Sequence, residues 1–172
     1  EQALSEQSDM ETIIVQGALT ATPLSEMATS ISIIDERAIQ QRQAQHLEDI
    51  LNRAANVNFS SGASRGRFVQ IRGIGERSQF VDPINPSVGL LIDNVDFSGI
   101  GSVATLMDVK QIDVLRGPQG TRYGSNALAG LINITTTDPY PHFRANIRAT
   151  VGDYGHSTLG FAATAPFTDN TS

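Results

Sequence analysis

The stretch that most constrains this chain is residues 114–136, VLRGPQGTRYGSNALAGLINITT. Two runs of strand-forming residues, one ending at Leu115 and the other opening at Leu131, flank a link that holds four glycines (Gly117, Gly120, Gly124, Gly130) and two arginines (Arg116, Arg122). Glycine belongs where a backbone turns through positive φ or approaches another surface more closely than a Cβ allows. So much glycine between two strands points to tight turns and close backbone approach in the connection. Within the link, Gly117-Pro118-Gln119-Gly120 suits a type I turn, with proline second and glycine fourth.

With 172 residues, 40% of them apolar, the chain can bury one core, and a second full domain does not fit. Its net charge is −6, and one lysine (Lys110) stands among twelve basic residues that form no run. That balance argues against a nucleic-acid surface. Cysteine is absent, which excludes disulfide frameworks, thiolate zinc sites and cysteine nucleophiles but leaves an oxidising compartment open. The opening EQALSEQSDM has no basic n-region and no apolar h-region, so any leader is expected to have been removed. Nowhere are there the roughly 18 consecutive apolar residues that a membrane-spanning helix needs.

Residues 1–10 are polar, acidic and aperiodic, and are expected to be disordered. TIIV (residues 12–15) favours extended structure, residues 18–29 with Pro23 read as an irregular linker, and order is expected from about Thr29. In SISII, Ile31 and Ile33 share one face of a half-buried strand, and Asp35 is placed to cap a helix running to Arg42. Leu47, Ile50, Leu51 and Ala54 then follow helical spacing and form one apolar stripe. Strands are expected at residues 68–71, 88–95, 109–115 and 131–136, with turn formers crowding residues 76–87. The order of these elements describes an α+β domain with a mixed sheet, ending near Pro141.

The tail differs in kind. In FRANIRATV (residues 143–151), Phe143, Ala145, Ile147, Ala149 and Val151 fall on one face, with Arg144, Asn146, Arg148 and Thr150 on the other. STLGFAATA (residues 157–165) repeats the pattern with Leu159, Phe161 and Ala163, after the connection GDYGH. Such segments suit either an amphipathic hairpin of a soluble sheet or two strands of a transmembrane barrel, and the pattern alone leaves both open.

No catalytic constellation emerges. GIGSVA (residues 99–104) fits a dinucleotide fingerprint but lacks the acidic strand end about 20 residues on. His46, His142 and His156 have no metal-ligand spacing, Ser125 lies outside a nucleophile elbow, and DNVD (residues 93–96) lacks the calcium-loop pattern. No metal and no cofactor is expected.

Taken together, IDVLRGPQGTRYGSNALAGLINITT, FVQIRGIG, VGLLIDNVDFSG and SISIIDERAI followed by LEDILNRAANV resemble the plug domain of TonB-dependent outer-membrane receptors. The likeness covers residues 29–139, with the motifs in the family's order. It implies a small mixed-sheet plug with short helices (residues 29–141), a flexible arm before it (residues 1–28), and the first hairpin of a truncated transmembrane β-barrel after it (residues 142–172). The complete barrel would have about 22 strands and lie in the outer membrane of a Gram-negative bacterium. Glu11, Thr12, Ile13, Ile14 and Val15 resemble the TonB box, which engages the periplasmic energy transducer TonB. A short extended segment on a disordered arm is what strand addition to a partner sheet requires. A signalling domain ahead of that segment is not expected, and neither is transcriptional signalling.

Arg72 and Arg116 match family arginines that pair with barrel glutamates. Guanidinium forks hold carboxylates bidentately and keep their charge where solvation is poor. The alternative is that each arginine only braces its own turn. Gly73, Gly117, Gly120, Gly124 and Gly130 are the expected turn glycines, placed so that the plug backbone can pass close to the barrel wall. Loops 60–67, 75–86 and 96–101, with Arg65, Arg67, Gln79, Phe80 and Phe97, are expected to face the substrate. The resemblance thus implies a non-enzymatic gate in an importer of a scarce nutrient: an iron chelate, haem, cobalamin or oligosaccharide. A soluble periplasmic module binding a ligand or protein on a mixed sheet is the alternative, and a nucleotide-binding enzyme is a weaker third.

Overall fold

The computed structural model describes residues 14–15, 22–23, 29–60, 68–76, 86–98, 105–123, 126–139 and 142–165. In chain order they form β1 (Ile14–Val15), β2 (Thr22–Pro23), β3 (Ser30–Asp35), α1 (Glu36–Gln41), α2 (Leu47–Leu51), β4 (Val57–Ser60) and β5 (Phe68–Ile71). There follow β6 (Val88–Ile92), β7 (Val95–Asp96), β8 (Val109–Arg116), α3 (Gly120–Tyr123), β9 (Gly130–Thr136), β10 (Arg144–Val151) and β11 (Ser157–Thr164).

Local chemistry sets the helix starts. The Asp35 carboxylate accepts from the Ala38 N–H at 2.9 Å, capping α1. Asp49 reaches back to the Gln45 and His46 N–H groups at 3.1 and 2.9 Å, closing the first turn of α2. α2 stops at Leu51, sooner than its apolar stripe. Tighter turns, Arg53 N–H to Ile50 O and Ala54 N–H to Leu51 O, carry Ala54 into the core all the same.

The central sheet has five strands in the order β3-β8-β9-β6-β7, antiparallel throughout except for the parallel pair β6 and β9. One face presents Ile112, Val114, Ile132 and Ile134 to Ile39, Leu47, Ile50 and Leu51 of the helices. The other packs Leu91, Leu115 and Leu131 with Ala127, Ile31 and Tyr123. Cover on both faces explains why β8 and β9 are buried through consecutive residues instead of alternately.

Three expectations change here. The strand expected over residues 88–95 is two strands folded at Asp93-Asn94, whose φ values of 48° and 66° make a type I′ turn. β4, unforeseen in VNFS, pairs with β5 as a separate ribbon, and β2 lies within the expected linker. The type I turn expected at residues 117–120 is a wide hairpin loop. The Gly117 N–H bonds Ala129 O at 3.0 Å and the Gln119 N–H bonds Ala127 O at 2.8 Å, with Gly117 at φ +114°. Ladder bonds that continue past the strand ends leave no room for a four-residue reversal.

β10 and β11 pair in register from Arg144↔Thr164 to Val151↔Ser157, apart from the central sheet. Their polar face is turned toward the domain. Arg144, Arg148, Glu36, Gln40, Asp108 and Thr137 line a crevice between hairpin and sheet, and a Cβ added at Gly160 would come within 2.6 Å of Met107 Sδ. The apolar face points away, with Phe143, Ile147, Val151, Leu159 and Phe161 between 64% and 87% exposed. Among the described residues no helix is long and apolar enough to cross a membrane.

Candidate functional site

Arg72 and Arg116, distant in sequence, meet at one lip of the sheet. β5 ends in a two-residue turn in which Arg72 (φ 55°) and Gly73 (φ 80°) are both left-handed, and the Ile71 and Ile74 N–H groups bond each other's carbonyls at 2.9 and 3.0 Å. This turn exposes Arg72 and brings its guanidinium within 4.0 Å of the Cβ position of Gly117. Arg116 ends β8 opposite Ser30. Its Nε donates to Ser30 Oγ at 3.1 Å, and its Nη1 to Ser32 Oγ at 2.7 Å and Ala55 O at 3.2 Å. Desolvation, and then the positive charge of Arg72, lower the Arg116 pKa from its ordinary value. Neither guanidinium meets a carboxylate among the described residues. Arg116 therefore braces β3 and the approach to β4, whereas Arg72 has no such bracing bond there.

The glycines divide by cause. Gly73 and Gly117 serve positive φ. Gly130 serves close packing, since a Cβ there would sit 2.5 Å from Leu115 O and 2.7 Å from Ile71 Cδ1. The crowding at Gly130 comes from the domain itself, where Ile71 of β5 packs over the end of β9. Gly120 faces open space at the start of α3, and Gly124 lies outside the described residues.

Of the expected substrate-facing residues, Arg65, Arg67, Gln79 and Phe80 lie outside the described residues. Phe97 is a correction. Its N–H bonds Leu90 O at 2.8 Å, and its half-buried ring packs against the core, because β7 folds straight back onto β6. The roots of the loops are tied by residues that sequence reasoning passed over. Glu76 Oε1 accepts from the Ser87 N–H at 2.7 Å and Oγ at 2.8 Å, tying the two described segments that flank residues 77–85. Ser60 Oγ and Gln70 Nε2 both donate to Glu76 O, joining that root to the one at residues 60–68. Asp96 accepts from the Ser98 N–H and Oγ and from Asn126 Nδ2. Burial raises the Asp96 pKa, but these bonds outweigh it and the net shift is downward. A polar residue on each side of a turn-rich stretch was the signal available for these ties.

Of the arm segment, Glu11, Thr12 and Ile13 lie outside the described residues. Ile14 and Val15 pair with Pro23 and Thr22; Val15 is fully buried, and Ile14 O accepts from Gln111 Nε2 at 3.0 Å. No group of three or more His, Cys, Asp or Glu side chains that could hold a metal occurs among the described residues.

A mixed sheet clad on both faces is followed by a hairpin that turns its polar side toward the domain and its apolar side outward. Residues 23–131 match the family model of the TonB-dependent Receptor Plug Domain, and the chain belongs to that family of Gram-negative outer-membrane receptors. It is similar to a vitamin B12 transporter of Vibrio vulnificus (27% identical, covering 91% of this chain and 26% of the relative). It is also similar to a pesticin receptor of Yersinia enterocolitica (34% identical, covering 69% and 16%). Among solved structures, the ferric yersiniabactin uptake receptor of Yersinia pestis superposes with a TM-score of 0.72 at 26% identity, over 82% of this chain and 22% of that one. The ferripyoverdine receptor of Pseudomonas aeruginosa, at 14% identity and a TM-score of 0.76, shares the fold over 96% of this chain and 22% of that one. The chain thus spans about a quarter or less of the length of these relatives. Their names describe receptors and transporters, not enzymes.

Proposed function

We propose that this chain is the gated plug and first barrel hairpin of an energy-coupled, non-enzymatic importer. The observation that carries this is the inside-out hairpin directly after a plug sheet. Five large apolar side chains held in water forgo on the order of 5–10 kcal/mol of burial, which a lipid-facing position restores. A soluble periplasmic module would have no use for that face. The arm at residues 11–15 engages TonB, residues 60–67 and 75–86 meet the substrate, and Arg72 with Arg116 pairs with carboxylates of the barrel wall. The names of the relatives favour an iron chelate or cobalamin as cargo. The test is uptake of a radiolabelled ferric chelate or cobalamin by cells carrying the full-length receptor. Entry is expected to fall to background when TonB is deleted or the proton gradient is collapsed. Uptake indifferent to both would sink the assignment.

The latch can be tested separately from the fold. Arg116→Ala would also strip donors from Ser30, Ser32 and Ala55, mixing a local cost of about 1–3 kcal/mol with any loss of barrel pairing. Arg72→Ala is the cleaner probe. It is expected to leave the melting temperature of the 172-residue chain within about 2 °C, while the full receptor becomes leaky to small antibiotics because a wall carboxylate loses its partner. A receptor as tight as the parent would show that Arg72 latches nothing.

A further inference from the structure

We propose that Asp113 is a proton-binding site in the core of the sheet, a neutral carboxylic acid at neutral pH whose Oδ2–H donates to Asn133 Oδ1 across the β8–β9 pair. The site is independent of the importer reading. Four residues on one face make it, Gln111 opposite Thr135 and Asp113 opposite Asn133. Ile33 of β3 flanks Asp113, Leu91 of β6 flanks Asn133, and the pair Leu115 and Leu131 follows on the same face. Asp113 is fully buried and Asn133 is 2% exposed. Gln111 Nε2 donates to Asp113 Oδ1 at 2.6 Å, and Asn133 Nδ2 donates to Thr135 Oγ1 at 3.3 Å. Asn133 Oδ1 is buried with no hydrogen-bond partner.

Opposed residues on one face of an antiparallel pair have Cβ atoms about 4.5–5.5 Å apart, close enough for a carboxyl and an amide to share a hydrogen bond. An ionised Asp113 would offer only acceptors, and the Asn133 amide would then gain by turning Nδ2 toward it and leaving Oδ1 to the Thr135 hydroxyl. The observed orientation is the reverse, with an amide oxygen in need of a donor, and the protonated carboxyl opposite supplies one. Burial acts in the same direction, because it disfavours the charged form of a carboxyl group. The titratable groups around the site are placed elsewhere. Asp35, opposite Gln111, caps α1, and Asp93, beyond β6, holds the Thr136 N–H and Oγ1. Lys110 pairs with Asp138, Arg116 serves Ser30, Ser32 and Ala55, and Tyr123 packs at the apolar end of the face. Ile14 and Val15 of β1 carry no charge.

The proton ties β8 to β9 and passes to solvent when they part. An aspartate of the unfolded chain ionises at about pH 3.9, so above that pH the folded state holds one proton more, and its stability falls as pH rises until the site itself ionises. The test is urea unfolding of the 172-residue chain, dilute enough to stay monomeric, beside its Asp113→Asn variant. The asparagine amide fills both roles of the acid, accepting from Gln111 and donating to Asn133. Between about pH 5 and pH 7 the parent's folding constant is expected to fall about tenfold per pH unit more steeply than the variant's. Parallel curves overturn the proposal, as an ionised Asp113 facing a turned amide would give. Infrared spectra of the full-length receptor at neutral pH give a second readout: the C=O band of a protonated carboxyl, present in the parent and lost in Asp113→Asn. Its absence from the parent overturns the proposal. Should Asp113→Asn fail to fold, Asn133→Leu decides in its place, since removing the acceptor must shift that band, and an unmoved band overturns the pairing.

Discussion

Replacing Ile14 by proline is expected to reduce energised uptake to background while outer-membrane insertion and substrate binding stay at parental levels. Proline removes one backbone N–H and fixes φ near −65°. A strand added to a partner's sheet takes its affinity from main-chain hydrogen bonds, so the loss of one donor in a segment this short is severe. The docked arm is less affected. Its bond from Gln111 uses the Ile14 carbonyl, which proline keeps, and the burial at this position belongs to Val15. Ile14→Val serves as the control, altering the side chain while preserving the backbone donor, and should transport normally. The measurement is uptake of the labelled substrate beside surface binding in the same cells. Transport by Ile14→Pro at the parental rate would remove residues 11–15 from the coupling role.

Much of the fold was legible because local and tertiary demands agree. Asp35 caps the helix it precedes, the stripe from Leu47 to Ala54 is buried as its spacing requires, and the runs ending at Leu115 and opening at Leu131 are neighbours in the sheet. The failures lie where a backbone turn overrides a side-chain pattern. Asp93-Asn94 hides inside a run that reads as one strand, and Phe97 reads as an exposed aromatic until the return of β7 turns it inward. The convergence of Arg72 and Arg116 could be expected only through the family likeness, since no pattern in either motif specifies that Ile71 of β5 packs over Gly130 at the end of β9. The buried polar groups of β8 and β9 had no signal at all. Gln111, Asp113 and Asn133 sit in strands whose apolar neighbours dominate the reading, and an orphaned amide oxygen becomes visible only once the strands are paired.

Residues 1–141 made alone are expected to stay monomeric at concentrations where residues 1–172 associate. The hairpin contributes little that the central sheet needs, because among the described residues its strands pair only with each other, and they meet the domain through a largely polar crevice. What it adds in water is a large apolar face and two strand edges. In a closed barrel, lipid would cover the face, and neighbouring strands the edges. Without them, two copies can bury Phe143, Ile147, Leu159 and Phe161 against each other or add strand to strand, and either route leads to association. Light scattering of both chains across a concentration series gives the comparison, and the amides of β10 and β11 in the longer chain should exchange far faster at low concentration than those of β8 and β9. If the longer chain is equally monomeric and its hairpin amides exchange as slowly as the core, then β10 and β11 are a stable part of a soluble domain. The outward apolar face then needs an explanation other than lipid.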